Sequence, residues 1–373
     1  MGTDRLADAV GLLTGFALDV MLGDPGRGHP VAGFGRIAAS LERRIYAPTR
    51  LAGAGYAALA VGVPMAGAVV ATALTRRRPV ARAVLMAATT WAVLGGRTLR
   101  REAAVMAGAL EGGDIATARA RLNHLCGRDP SRLDEPELAR ATVESVAENT
   151  SDAVVAPLFW GAVAGLPGLV GYRAANTLDA MVGHRSVRYA RFGTAAARLD
   201  DALNLAPARL TALLTIAAAP LVQGQRAEAW RVWRRDRADH PSPNAGQCES
   251  AMAGALGVRL GGRNVYFGRS EFRPLLGDGP RPDVRHIRRA GMLSGAVGLA
   301  AVGLAAVGVA AVGLAASGLA AAAQATAGTA AGRATAGTAP TTPAPARATL
   351  GGAITGRAGS ARCRASTRRG LRP

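Results

Sequence analysis

LAGAGYAALAVGVPMAGAVVATAL, residues 51 to 74, contains no charged residue. As a helix it extends ~36 Å, more than the ~30 Å hydrocarbon core of a bilayer. Inside lipid, every backbone N–H and C=O must find its partner within the segment or a neighbour. The stretch therefore constrains the chain towards membrane-spanning helices. Residues 153–171 and 291–323 are also uncharged, and TALLTIAAAPLVQG, residues 211–224, suits a short or re-entrant membrane segment. RRRPVAR follows the first run and precedes a shorter apolar one. A membrane hairpin with RRRPVAR as its cytoplasmic turn is one arrangement. RTLRR at the far end leaves topology by charge ambiguous.

Composition agrees. Hydrophobic residues make up 49% of the chain but aromatic ones only 4%. The apolar mass is Ala, Val, Leu and Gly, which suits close helix packing and not a β-sandwich. The expected fold class is all-α: a multi-pass membrane helical bundle whose polar helical segments and loops form a site near the cytoplasmic surface. Residues 1–324 are expected to form the embedded domain. Gly303, Gly308, Gly313 and Gly318 recur in the last apolar run at a step of five, which does not make one helical stripe. Residues 325–373, rich in Ala, Thr, Gly and Arg, read as a disordered tail.

The net charge of +20 first suggests nucleic acid. All 45 basic residues are Arg, however, and eight lie beyond residue 324, where there is no acid. The rest flank the apolar runs. Zinc-finger spacing and RNP-like aromatics are both missing, so nucleic acid is not an expected partner. Membrane lipid and an anionic substrate are. Cys126, Cys248 and Cys363 are too scattered for a disulfide framework. Asp4, Asp8 and Asp19 argue against a signal peptide. Without Lys, neither a Walker A loop nor a Lys Schiff base exists.

Three stretches concentrate chemistry. In ESVAENTSDAVVAP, Glu144, Glu148 and Asp152 fall at i, i+4 and i+8 on one helical face, with Asn149 beside it. That stripe reads either as a solvated face or as an oxygen-rich site for Mg²⁺ or nucleotide phosphate. Asp134 and Pro136 mark the start of its helix. In YRAANTLDAMVGHRSVRYARFGTAAARLDDALNLAP, Arg173, Asn176 and Asp179 precede His184, Arg185, Arg188 and Arg191, followed by Asp200, Asp201 and Asn204. Carboxylates with guanidinium groups suit a phosphorylated substrate, and an amphipathic hairpin laced with ion pairs is the alternative. HPSPNAGQCESAMAGALGVRLGG brings His240, Ser242, Asn244 and Glu249 into a Pro-rigid loop and the helix it opens, with Cys248 as a small buried residue.

Asp19–Val31 (D-x-x-L-G-D-P…H-P-V), ESVAENTSDAVVAPLFW, RAANTLDAMVGH, LDDALNLAPARL and HPSPNAGQCESAMAGALGVRLGG, in that order, resemble the adenosylcobinamide-phosphate synthases of the CobD/CbiB family. The resemblance covers residues 5 to 320. It implies a multi-pass helical enzyme that joins adenosylcobyric acid to aminopropanol or aminopropanol phosphate through an amide bond, with ATP as co-substrate and Mg²⁺. Other late cobalamin-pathway enzymes are possible partners. On this basis Glu144, Glu148, Asp179 and His184 are expected to be catalytic. Glu148, Asp152, Asp200 and Asp201 are expected to hold metal. Arg173, Asn176, His29, His240, Ser242, Asn244 and Glu249 are expected to bind substrate. Pro130 departs from the family pattern, where Thr is expected after Gly-Arg-Asp. A regulator like the AmpE-related proteins is the alternative. A transporter is disfavoured, since the chain has no inverted repeat.

Overall fold

The computed structural model describes residues 2–25, 28–184, 186–266 and 269–336; Arg185 and the tail beyond Ala336 lie outside them. Residues 1–321 form one compact unit. Its helices are α1 (Gly2–Leu22), α2 (Pro30–Ile45), α3 (Arg50–Leu74), α4 (Pro79–Val93), α5 (Gly96–Glu111), α6 (Ile115–Leu122), α7 (Glu135–Thr150), α8 (Ala156–Leu178), α9 (Tyr189–Phe192), α10 (Thr194–Ala218), α11 (Arg226–Asp236), α12 (Ala245–Leu256) and α13 (Val284–Ala336). α13 carries helix twelve residues into the segment expected to be a disordered tail.

Five helical segments are long and apolar enough to cross a membrane: Arg50–Leu74, Pro79–Glu111, Glu135–Gly183, Thr194–Val222 and Val284–Ala315. The protein is a multi-pass, all-α membrane bundle. One β-hairpin departs from pure helix, β1 (Leu260–Tyr266) paired antiparallel with β2 (Arg269–Leu276). Gly261 and Gly262 have positive φ at the irregular end of its register. A Cβ on Gly261 would lie 2.0 Å from the Pro274 carbonyl, so glycine is needed there.

The 153–171 stretch is not one span. Gly165 has φ 64° and ψ −148°, and Pro167 follows within the turn. The chain doubles back there. A Cβ on Gly168 would lie 2.1 Å from the Trp160 carbonyl oxygen, and Tyr172 Oη reaches the Asp152 carbonyl at 3.3 Å. In a straight helix those last two residues would stand ~30 Å apart. The two limbs of this hairpin return Asp152 and Asp179 to the same end of the bundle.

Two levels fix that end. Asp8 takes a two-pronged ion pair from Arg82 at 2.7 and 2.8 Å, whereas the Gly95 N–H donates to the Ala153 carbonyl at 3.2 Å. α4 connects these levels, which stand ~20 Å apart along it. α13 does the same: Ser294 is hydrogen-bonded to Thr150 at 2.8 Å, while Val312 shares a cavity with Arg76, Gly165 and Pro167. Those positions are ~27 Å apart along the helix, close to a bilayer's hydrocarbon thickness. Two cores follow this division. One packs α1, α4, α8 and α13 through Leu12, Met86, Leu158 and Val297 at lipid level. The other packs α5, α7, α11 and α12 through Met106, Leu138, Trp233 and Met252. The Arg76–Arg78 turn lies at the opposite end of the lipid layer from this second core and from Asp152. It therefore cannot share the cytoplasmic side with a site built around Asp152.

Candidate functional site

The acids meet where the two cores join. α7 starts on a full capping box: Asp134 accepts from the Glu137 N–H at 2.9 Å and Glu137 reaches back to Asp134. The helix then widens into a π turn, Ser151–Val155, that begins beside Asp152. A second π turn, Asp179–Gly183, ends the return limb. π turns cluster at functional sites because the extra residue re-aims side chains. Here one such turn carries Asp152 and the other Asp179. Gly183 gives Asp179 its room, since a Cβ there would lie 1.8 Å from Asp179 Oδ1.

α10 supplies the third wall. Pro207 lacks an N–H, so it leaves the Leu203 carbonyl without its helical donor. Trp160 Nε1 donates to that carbonyl at 3.0 Å and locks α10 against the hairpin. Asp200 is then held by two amides, Asn176 at 3.2 Å and Asn204 at 3.0 Å, and Asn204 Oδ1 lies 2.9 Å from Tyr172 Oη. The loop before α12 forms the fourth wall. Ser242 Oγ accepts the N–H groups of Asn244 and Ala245, and Asn244 Nδ2 donates to the Asp201 carbonyl at 2.8 Å. α12 itself starts at Ala245, so Glu249 sits inside it and not at its opening.

The result is a cavity of about 80 Å³ lined by Glu148, Ser151, Asp152, Asp179, Asp200, Asp201, Asn204, Ser242, Asn244 and Cys248, among others. No guanidinium among the described residues is in its wall. Among the described residues, the side chains of Glu148, Asp152, Asp179 and Asp201 take part in no hydrogen bond or ion pair. Ser151 Oγ and Asn244 Oδ1 are buried and unpartnered. Like charges gathered in so small a volume repel one another strongly, and a bound cation would remove that cost. The donors are all hard oxygens, which suits Mg²⁺. No three His, Cys, Asp or Glu among the described residues already converge on one ion position. The four expected metal ligands therefore line one cavity without forming a closed cage. Mg²⁺ commonly takes one or two carboxylates and completes its shell with water and phosphate oxygens.

Several expected site residues lie elsewhere. Glu144 shares the helix face with Glu148 but is buried in an ion-pair network: Arg128 at 2.6 Å, Arg140 at 3.0 Å, and the Gly261 N–H at 2.7 Å. Arg140 also donates to Asn264 Oδ1 and to the Arg263 carbonyl, tying α7 to β1. Glu144 is thus held as a structural anchor, outside the wall of the acidic cavity. His184 packs edge-on against Tyr189, with ring centroids 5.0 Å apart, and is not in the acidic cavity's wall. His29 caps α2 by accepting the Val31 N–H at 3.1 Å, with Asp24 at 4.0 Å from its other nitrogen. Arg173 lines a separate apolar cavity of about 360 Å³ between α2, α3, α4 and α8, within electrostatic reach of Asp24 and Asp152.

His240 and Glu249 form a buried layer against Arg273, which stands 3.1 Å from His240 Nε2 and 3.9 Å from Glu249. Burial, then the Arg273 charge, lowers the His240 pKa to about 4. Burial, then Glu144 and Glu148, raises that of Glu249 well above the carboxylate range. The ring is therefore neutral at neutral pH, with Nδ1 accepting the Ser242 N–H at 3.0 Å. An unfolded histidine titrates near 6.5, so between pH 6.5 and 4 the unfolded chain binds the extra proton. Folding stability should fall as pH drops through that window, by on the order of 3 kcal/mol from this group. Urea unfolding followed from pH 7 to pH 4 should show a shallower acid-side loss for His240→Gln than for the wild type.

Arg128, Arg140 and Arg273, which hold Glu144 and face His240 and Glu249, lie outside the sequence motifs that mark the site. Arg140 carried a signal, since it stands four residues before Glu144, just outside the acidic stretch.

The family model for CobD/Cbib protein matches residues 12–294. The chain is 53% identical over 290 residues to a protein named "Cobalamin biosynthesis protein CobD" from Mycobacterium tuberculosis, covering 78% of this chain and 92% of that one. It is 46% identical over 282 residues to a protein of the same name from Chromobacterium violaceum, covering 73% and 88%. With its namesake from Geobacter metallireducens, identity is 45% over 278 residues, covering 73% and 87%. No solved structure matches.

Proposed function

This chain belongs to the CobD/Cbib family, and from that membership we propose that it is a membrane-embedded amide ligase of cobalamin biosynthesis. It joins the amine of aminopropanol or aminopropanol phosphate to a carboxyl group of adenosylcobyric acid, with ATP as co-substrate. Carboxylate, amine and ATP become amide, ADP and phosphate. The observation that carries this reading is the meeting in one cavity of four carboxylates that have no partner among the described residues.

ATP would supply the phosphoryl group that activates the carboxylate, and Mg²⁺ would offset the charge on its phosphates. Glu148 and Asp152 are the groups best placed to hold the ion, with Asp200 held ready by its two amides. Asp179 and Asp201 have no partner among the described residues, so either could take the proton that the attacking ammonium must lose. Ser242 and Asn244 present polar groups to the same space. Room for roughly three waters holds an ion and its shell, not a macrocycle. The corrin therefore stays outside the cavity and presents only its reacting side chain.

The test is direct. Membranes carrying the protein, given ATP, Mg²⁺, adenosylcobyric acid and either amine, should yield a product heavier by the amine less one water, read by mass spectrometry. Product that forms equally without ATP, or no product from either amine, would defeat the proposal.

A further inference from the structure

The turn between α3 and α4 carries Arg76, Arg77 and Arg78 in succession, at the end of the lipid layer opposite Asp152. A cavity of about 520 Å³ stands against it, lined by Asp4, Arg5, Val69, Arg76, Arg82 and Val312 among others. Its charges do not balance. Arg82 is closed by Asp8 at 2.7 Å. The side chains of Arg5 and Arg76 take part in no hydrogen bond or ion pair among the described residues. Asp4 is the acid in the wall, and its Oδ1 is buried without a partner. One positive charge is therefore in excess, and one buried acceptor lacks a donor. α4 opens beside them without a side-chain cap, which leaves its first N–H groups to an anion as well. The cavity is also open to lipid. Val69 is 52% exposed and Val312 57%, and Leu74, further along α3, is 72% exposed. These side chains belong to two of the membrane-length segments.

An apolar, lipid-facing wall that ends on unpaired guanidiniums matches an acyl chain that ends on an anion. The anions that a bilayer places at the edge of its hydrocarbon are lipid phosphodiesters. We infer that this cavity binds an anionic phospholipid with a hydroxylated head group, of which phosphatidylglycerol is the simplest. Its phosphate lies on Arg5 and Arg76, a head-group hydroxyl donates to Asp4, and an acyl chain runs along Val69 and Val312. Guanidinium groups hold phosphate through charge-assisted hydrogen bonds. The single negative charge of the lipid balances the wall, whereas the zwitterions phosphatidylethanolamine and phosphatidylcholine bring no net charge. The volume falls within the ~300–1,000 Å³ of small-ligand sites. The site stands at the far side of the lipid layer from the acidic cavity, so the inference does not depend on the ligase reading.

Native mass spectrometry tests this on the full-length protein, purified, delipidated and then given one lipid at a time with identical acyl chains. Phosphatidylglycerol should be retained about tenfold or more over phosphatidylethanolamine and phosphatidylcholine. Phosphatidylmethanol, which has the same charge and no head-group hydroxyl, should be retained more weakly than phosphatidylglycerol. Arg5→Gln and Arg76→Gln, in different segments, should each lower phosphatidylglycerol retention by about fivefold or more. Neither should change the melting temperature of the lipid-free protein, since neither side chain holds a partner among the described residues. Arg44→Gln, which removes an exposed arginine at the end of α2, should leave retention unchanged. Equal retention of phosphatidylglycerol and any of the other lipids by the wild type overturns the inference. So does a loss in Arg44→Gln as large as in the other two, which would mark general attraction to a basic surface. Displacement of the lipid by an equal concentration of glycerol phosphate would assign the cavity to a free phosphate ester and overturn the lipid assignment.

Discussion

Glu148→Gln is expected to abolish ATP-dependent amide formation while leaving the folded protein at least as stable as the wild type. Glu148 is exposed to the acidic cavity and, among the described residues, has neither a hydrogen-bond donor nor an ion-pair partner. The amide keeps the shape and removes the charge. If the charge serves to hold a cation against phosphate, its loss should lower turnover by about 10²-fold or more, the range seen when one preorganised electrostatic contact is removed. In the absence of ligand the charge is desolvated beside Glu144 and Asp152 and is offset only through space by Arg273 and Arg128, so neutralising it relieves net strain. The melting temperature of the variant in detergent should be unchanged or higher, and the Mg²⁺ concentration needed for half-maximal stabilisation should rise. Loss of activity together with gain of stability is the mark of a site kept at a cost to folding. A fully active variant would remove Glu148 from the machinery. A variant that is both inactive and markedly less stable would make it structural.

The lipid-spanning frame was legible because it rests on length and charge alone. Residues 51–74 are helical as expected, and so is the start of α7 at Asp134 and Pro136. Both are local rules that tertiary packing does not override. The convergence of Glu148, Asp152, Asp179, Asp200 and Asp201 follows the motifs that carried the family resemblance, although nothing in their spacing shows how they meet. What stayed hidden depends on contacts distant in sequence. Gly165 and Pro167 sit inside an uncharged run long enough to cross a bilayer, and only the packing of Gly168 on Trp160 reveals the reversal. The strands at 260–276 are rich in Arg and Gly and lack the alternation that announces a hairpin. His184 follows a motif helix directly, yet the π turn ending at Gly183 redirects the chain, and its ring packs against Tyr189. Glu144 shares its face with Glu148 and differs in having the Gly261 N–H and two arginines brought to it, one from the 123–134 loop and one from the preceding helical turn.

That difference sets up the second large effect. Glu144→Ala should destabilise the protein by about 3–5 kcal/mol, the usual cost of breaking a buried ion pair from one side. The carboxylate accepts from Arg128, Arg140 and the Gly261 N–H, and each of the three would lose this acceptor where water does not replace it. Arg128 is 3% exposed and Arg140 5%, so neither guanidinium can swing out to solvent without opening the packing between α7 and β1. Thermal or urea unfolding in detergent should show the loss directly. Activity should fall in parallel with the folded fraction and recover when the protein is assayed at low temperature, unlike Glu148→Gln, whose defect should persist at every temperature. Replacing Glu144, Arg128 and Arg140 together by apolar residues of similar volume should restore part of the stability, because the stranded charges, not the missing attraction, account for most of the loss. If Glu144→Ala instead melts like the wild type yet makes no product, Glu144 belongs in the chemistry, and the boundary between anchor and cavity must be moved by one helical turn.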